Sequence, residues 1–202
     1  MRRGDVQGRK GWGRCVGGVL RGGGSVGVVS VNWSCVWIRA CLGALALALR
    51  EGVPEMDKVK VVANEIEGLD GEAGSSGGLG RYCGEAGGGI WTCGDKGRCV
   101  GEMLAENTGV GEEGGVSVYV GDSVTDLEAL MGVDVGVCIG EGEGELKACA
   151  ERVGVGWRWV GEFRGSADGW ERGGERVLWW ARDFDEICES RLFPDLLDSS
   201  SR

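Results

Sequence analysis

The chain contains no histidine. Every scheme that needs an imidazole, as general base, proton shuttle or metal ligand, is thereby excluded. Catalysis, if any, has to use carboxylates, hydroxyls, thiols or lysine. There is no long run of Lys and Arg, and the formal charge is -10. Phosphate backbones are bound through clustered cations, so a nucleic-acid surface is not expected. No Cys-x-x-Cys pair occurs among the 9 cysteines, which are scattered and odd in number. Reduced thiols in a cytoplasmic protein suit this pattern better than a disulfide frame or a zinc site. A long apolar run is also missing. The basic start, Met1 to Lys10, has no apolar stretch of signal-peptide type, and Arg39 interrupts Val36 to Leu49. Neither a secretion signal nor a membrane span is predicted.

What the chain does have is glycine, 42 of 202 residues, together with 42% hydrophobic residues. The apolar content is enough for the core of one α/β domain. The glycine excess costs backbone entropy in any regular element and predicts below-average stability.

Along the chain, residues 1–25 are rich in Gly and Arg and are expected to be a poorly ordered segment, with a weak helix from Gly11 to Arg21 as the alternative. Val26 to Val31, VGVVSV, has the β-branched composition of a buried parallel strand. Ser34 is placed to cap a helix over Cys35 to Leu49. Gly52-Val53-Pro54 stops that helix, and Lys58 to Ala63 reads as a second strand. Residues 64–89 are dominated by Gly, Ser and acids and predict a long loop or hairpin. Asp95 stands at an N-cap position before a helix over Lys96 to Glu106. Strand, helix and strand follow at Val116 to Val120, Val124 to Met131 and Val135 to Ile139. A helix over Glu143 to Val153, a short strand over Gly156 to Val160 and a helix over Val177 to Leu192 complete the domain, residues 26–192. Residues 193–202 form a frayed tail. Trp157, Trp159, Trp179 and Trp180 read as core or interface anchors. Glu141, Glu143 and Glu145, spaced by glycines, read as a solvated helix start.

Strands alternating with helices predict a mainly parallel sheet covered on both faces, a Rossmann-like three-layer α/β sandwich. Ligands in such folds bind at the carboxyl ends of the strands. Four positions of that kind carry matching chemistry. Asp122 and Asp126 follow one strand, on a turn suited to a hard cation such as Mg²⁺. Ser30 ends another strand and Lys96 opens a helix, and a hydroxyl and an ammonium suit phosphate oxygens.

The stretch Val116 to Gly140, VSVYVGDSVTDLEALMGVDVGVCIG, resembles the fourth motif of the haloacid dehalogenase (HAD) superfamily. Gly94-Asp95-Lys96 resembles its third motif, and VGVVSVNWS its second, with Ser30 as the hydroxyl. VVANEIEGLDGEAGSSG is similar to a pattern of the phosphoserine-phosphatase-like branch. The chain is likewise similar to fungal HAD-like hydrolases and to the phosphatase domain of plant bifunctional thiamine-phosphate phosphatases. The resemblance spans residues 26–165. It implies an Mg²⁺-dependent phosphatase acting on a small phosphorylated metabolite. Asp122 would then hold the metal, with Asp126 as second ligand or as support for the lysine. Ser30 and Lys96 would bind phosphate, and Asn64 and Ser123 would contact the ligand.

The first motif of the family, an apolar strand ending in Asp-x-Asp, is absent before Val26. The cap domain that follows it is absent too. Asp5 has no strand before it, and Asp183-Phe184-Asp185 comes too late in the chain. That last triplet reads as a surface helix turn, with circular permutation as the alternative. No catalytic nucleophile is therefore assigned. The expectation is a HAD-like fragment with little or no activity and a sheet lacking its central strand. A non-catalytic module that binds a phosphate ligand is the second reading, and an incomplete gene product the third.

Overall fold

In the computed structural model, which describes residues 8–32, 34–48, 56–66, 79–80, 89–107, 115–164, 171–172 and 175–193, helices and strands alternate along the chain. The order is α1 (Trp12–Arg21), β1 (Gly27–Ser30), α2 (Cys35–Ala48), β2 (Lys60–Ala63), β3 (Glu65–Ile66), β4 (Leu79–Gly80) and α3 (Cys93–Asn107). After these come β5 (Val118–Gly121), α4 (Leu127–Met131), β6 (Val135–Ile139), α5 (Glu145–Arg152), β7 (Gly156–Trp159), β8 (Glu171–Arg172), β9 (Glu175–Ala181) and α6 (Phe184–Glu189). No helix among the described residues is long and apolar enough to cross a membrane.

The larger sheet runs β5-β6-β9-β7, all parallel, with β8 antiparallel to β9. Its two faces are packed by different helices. Val135, Val137 and Ile139 of β6 and Val177, Trp179 and Ala181 of β9 meet Cys15 of α1 and Ile187 and Cys188 of α6. On the other face Cys138 and Leu178 meet Leu130 of α4 and Leu146 and Ala150 of α5. Helix, sheet and helix thus form the three expected layers. Trp179 packs edge-on against Phe163, with ring centroids 5.2 Å apart at 79°. This arrangement is one of the favoured aromatic geometries.

A second parallel ladder joins β1 to β2, with Ser30 opposite Ala63. Among the described residues no ladder joins β1 to β5, so the two parallel sheets stay separate. Helices hold them together instead. On one side α1 sends Cys15 to the core of the large sheet and Val16 to that of the small one. On the other side α3 packs Cys99 against Val62 and Val100 against Ala129, with Val29 of β1 touching both groups.

Several sequence expectations need correction. In the segment 1–25 the structure follows the helical alternative and not the poorly ordered one: α1 occupies Trp12–Arg21, with Cys15, Val16, Gly17 and Gly18 buried. Trp12, Val16 and Leu20 recur at helical spacing, and the contact they make on β1, β2 and α2 offsets the entropy of the glycines. The helix expected over Val177 to Leu192 divides into β9 and α6. A run that is apolar on every residue satisfies a central parallel strand as well as a buried helix, and here both faces of the strand are covered. Asp95 lies inside the first turn of α3, and Thr92 takes the capping role. The Thr92 hydroxyl accepts from the Asp95 amide at 3.2 Å, while Asp95 Oδ2 accepts from the Thr92 amide at 3.0 Å. Ser34 caps α2 as expected, its hydroxyl accepting from the Trp37 amide. Within the expected loop 64–89, β3 and β4 form a short antiparallel pair, and residues 67–78 and 81–88 lie outside the described residues. Asp5 and the tail 194–202 lie outside them as well.

Candidate functional site

The carboxyl end of β5 carries the acidic turn. Gly121 ends the strand, and an added Cβ there would stand 2.5 Å from Asp126 Cγ. Only glycine permits so close an approach, and it lets Asp126 fold back beneath the strand end. Asp126 is nearly sealed from solvent. Its Oδ1 accepts from Lys96 Nζ at 2.6 Å and from the Tyr119 hydroxyl at 2.7 Å. Its Oδ2 accepts from the Ser123 hydroxyl at 2.8 Å, the Ser123 amide at 3.0 Å and the Asp122 amide at 3.2 Å. Five donors therefore converge on one carboxylate.

Burial acts to raise the Asp126 pKa, but hydrogen bonds from Lys96, Tyr119 and Ser123 outweigh it and hold the group below the usual carboxylate range. The Tyr119 phenol moves the other way, raised by burial and by the neighbouring Asp126 charge. Cys138, one strand over, is pushed up to about 11 by burial and the charge of Asp122, so it stays a neutral thiol.

Asp122 differs from Asp126 in almost every respect. Its side chain is 56% exposed and meets Arg9 Nη2 at 2.8 Å. In front of it an open cavity of about 700 Å³ extends over the loop Gly140–Gly144, bounded by Arg9, Ser123, Cys138, Trp157 and Arg182. Glu141, Glu143 and Glu145 lie on its acidic side, and Lys147 pairs with Glu143 at 2.8 Å.

The other expected site residues are dispersed. Ser123 belongs to the Asp126 network and also shares a hydrogen bond with Thr125. Ser30 accepts from the Asn32 amide at 3.1 Å within its own turn and is not part of that network. Asn64 is fully buried, and its carboxamide is committed to backbone. Nδ2 donates to the carbonyls of Val31 and Ile90, and Oδ1 accepts from the Ile90 amide at 2.6 Å. It stitches three segments together and offers nothing to a ligand. Asp183 is the N-cap of α6, accepting from the Glu186 amide, and Asp185 pairs with Lys10. The triplet therefore belongs to a helix start at the end of a strand, the place where carboxylate caps are ordinary.

The expected Mg²⁺ pair does not fit these positions. Both Asp126 oxygens are already occupied by protein donors, and Asp122 remains as a single carboxylate beside a guanidinium. Among the described residues no three His, Cys, Asp or Glu side chains gather as a metal-binding group. Asp122 by itself would hold Mg²⁺ only together with waters and a bound phosphate, which commonly complete the shell of that ion.

Compared with protein-family models, curated proteins and solved structures, the chain matches none. The site is accordingly read from its own chemistry.

Tyr119 and Arg9 are the functional neighbours that the sequence reading missed. Tyr119 sits on the strand two positions before Gly121, and alternation along β5 turns it toward the α3 and α4 side, where Asp126 lies. That alternation was the available signal. Arg9 had none, because its approach to Asp122 spans 113 positions in the chain.

Proposed function

We propose that the chain is a HAD-like α/β domain that binds a small phosphorylated metabolite at the carboxyl end of β5, with little or no turnover. The observation that carries this reading is the buried Lys96–Asp126 ion pair, which joins the start of α3 to the turn after β5. The same lysine and aspartate are the positions that resemble the third and fourth motifs of that superfamily. The open cavity adjoins the turn that follows β5, and Arg9 and Arg182, paired with Asp122 and Glu186, are the cations at its rim that an anion would have to recruit.

The same geometry disfavours hydrolysis. Asp126 is locked by five donors, so it can neither attack phosphorus nor exchange a proton with a ligand without breaking the network. Asp122 faces the cavity but is paired with Arg9. Covalent phosphoryl transfer needs an activated nucleophile held in line with the leaving group, and no carboxylate is assigned to that role. The binding is expected to proceed without Mg²⁺, and the domain to act inside the cell, where small phosphate esters are available.

Calorimetric titration with a generic phosphomonoester, with and without Mg²⁺, tests the proposal alongside a phosphatase assay on the same protein. Saturable binding in both conditions with no phosphate release is the expected result. A flat titration overturns the binding claim. Sustained Mg²⁺-dependent hydrolysis that disappears in Asp122→Asn overturns the claim of little turnover and restores the phosphatase reading.

A further inference from the structure

The start of α1 is fastened to the start of α6 at several points. The Phe184 amide donates to the Lys10 carbonyl at 3.0 Å, and Lys10 Nζ pairs with Asp185 at 3.0 Å. Arg14 stands 3.8 Å from the same carboxylate. Gly11, at φ 77, approaches so closely that an added Cβ would stand 2.4 Å from the Asp185 amide nitrogen. This contact admits no side chain, and it fixes the register of one helix on the other. One turn further along each helix, the register places a cysteine against a cysteine. Cys15 of α1 and Cys188 of α6 are both buried in the same apolar cluster, 6% and 1% exposed.

We propose that Cys15 and Cys188 are an oxidisable dithiol that closes to an intramolecular disulfide and ties α1 to α6. The pairing stands on the register of the two helices and on the burial of both thiols in one cluster. Either sulfur can react first, and the other then resolves.

With a hydroperoxide as oxidant, one of the two sulfurs attacks the terminal peroxide oxygen. The O–O bond breaks, an alcohol leaves with a proton, and a sulfenic acid remains. The second sulfur then attacks the first. The S–O bond breaks, the hydroxyl departs as water with the second thiol's proton, and the S–S bond forms. Two thiols are oxidised and one hydroperoxide is reduced. Entry of the oxidant needs only local opening of α1, a helix with three glycines in its ten residues.

The test uses the full chain, fully reduced, desalted and exposed to tert-butyl hydroperoxide. Remaining thiols are then alkylated and the protein is digested for mass mapping. The expected product is a monomer in which the peptides carrying Cys15 and Cys188 are joined with loss of two hydrogens, a species that dithiothreitol removes. Recovery of both cysteines alkylated, while the more exposed Cys41, Cys93 and Cys149 oxidise, overturns the proposal. So does pairing of either one with a different cysteine. In Cys188→Ser, Cys15 should be left without its partner and no intramolecular disulfide should carry it. A disulfide from Cys15 to another cysteine, formed in that variant at the wild-type rate, overturns the pairing.

Discussion

Lys96 Nζ stands 2.6 Å from Asp126 Oδ1, and the two side chains are 7% and 5% exposed. An ion pair this well sealed has surrendered most of its hydration, so its favourable part comes from geometry and from the additional donors around it. Tyr119, Ser123 and the Asp122 amide supply those donors. The pair is a structural clamp between α3 and the turn after β5.

Removing one half of the clamp leaves the other half charged and buried. Lys96→Met is expected to destabilise the domain by about 3–5 kcal/mol, because Asp126 then lacks its cation. Combining it with Asp126→Asn should lose less than the sum of the two single changes, by roughly 1–3 kcal/mol, since the unpaired charge is gone. Urea unfolding of the wild type, both single variants and the double variant measures this. Strict additivity would show that the two side chains do not act as a pair.

The depressed pKa of Asp126 predicts a pH dependence of definite sign. A carboxylate whose pKa is lower folded than unfolded binds more protons in the unfolded chain, so its stabilising effect is present above the unfolded value. That value is near ~3.9 for an aspartate. The effect is then lost as pH falls below this value and through the folded pKa. Stability of the wild type should thus fall between about pH 4 and lower values more steeply than that of Asp126→Asn. Denaturant unfolding at a series of acidic pH values gives the two slopes, and equal slopes would contradict the network as described.

Asn64 is expected to matter for folding and not for ligands. Asn64→Ala removes both donors to the carbonyls of Val31 and Ile90 and leaves the buried Ile90 amide without its acceptor. A loss of about 2–3 kcal/mol follows from leaving such groups unsatisfied. The dissociation constant for a phosphomonoester, measured under conditions where the variant is folded, should stay within error of the wild type. A selective loss of binding with unchanged stability would return Asn64 to the ligand site.

The acidic turn was legible because its information is local. In VYVGDSVTD the strand, the glycine, the two aspartates and the capping serine lie within a few residues, and short-range backbone preference is enough to place them at the end of β5. The strand Val135–Ile139 was legible for the same reason, as a β-branched run bounded by glycine. The roles of the two aspartates were legible only in part: support for the lysine was one of the two readings of Asp126, and the ion pair with Lys96 selects it. Asp122 and Asp126 look alike in sequence, yet one is exposed beside Arg9 and the other is buried beneath Lys96 and Tyr119.

The amino-acid sequence by itself determined the alternation of helices and strands, the absence of imidazole chemistry and the position of the acidic turn, since each depends on composition or on neighbours along the chain. Tertiary structure alone decided three further matters. Val177 to Ala181 became a strand because its two edges pair with β6 and β7 and helices cover its two faces. The N-terminal helix became part of the core because Cys15 and Val16 reach two different sheets. Asp126 became unavailable to a metal because donors from α3 and β5 converge on it. In each case the deciding contact joins residues far apart in the chain, where periodicity and local spacing carry no information.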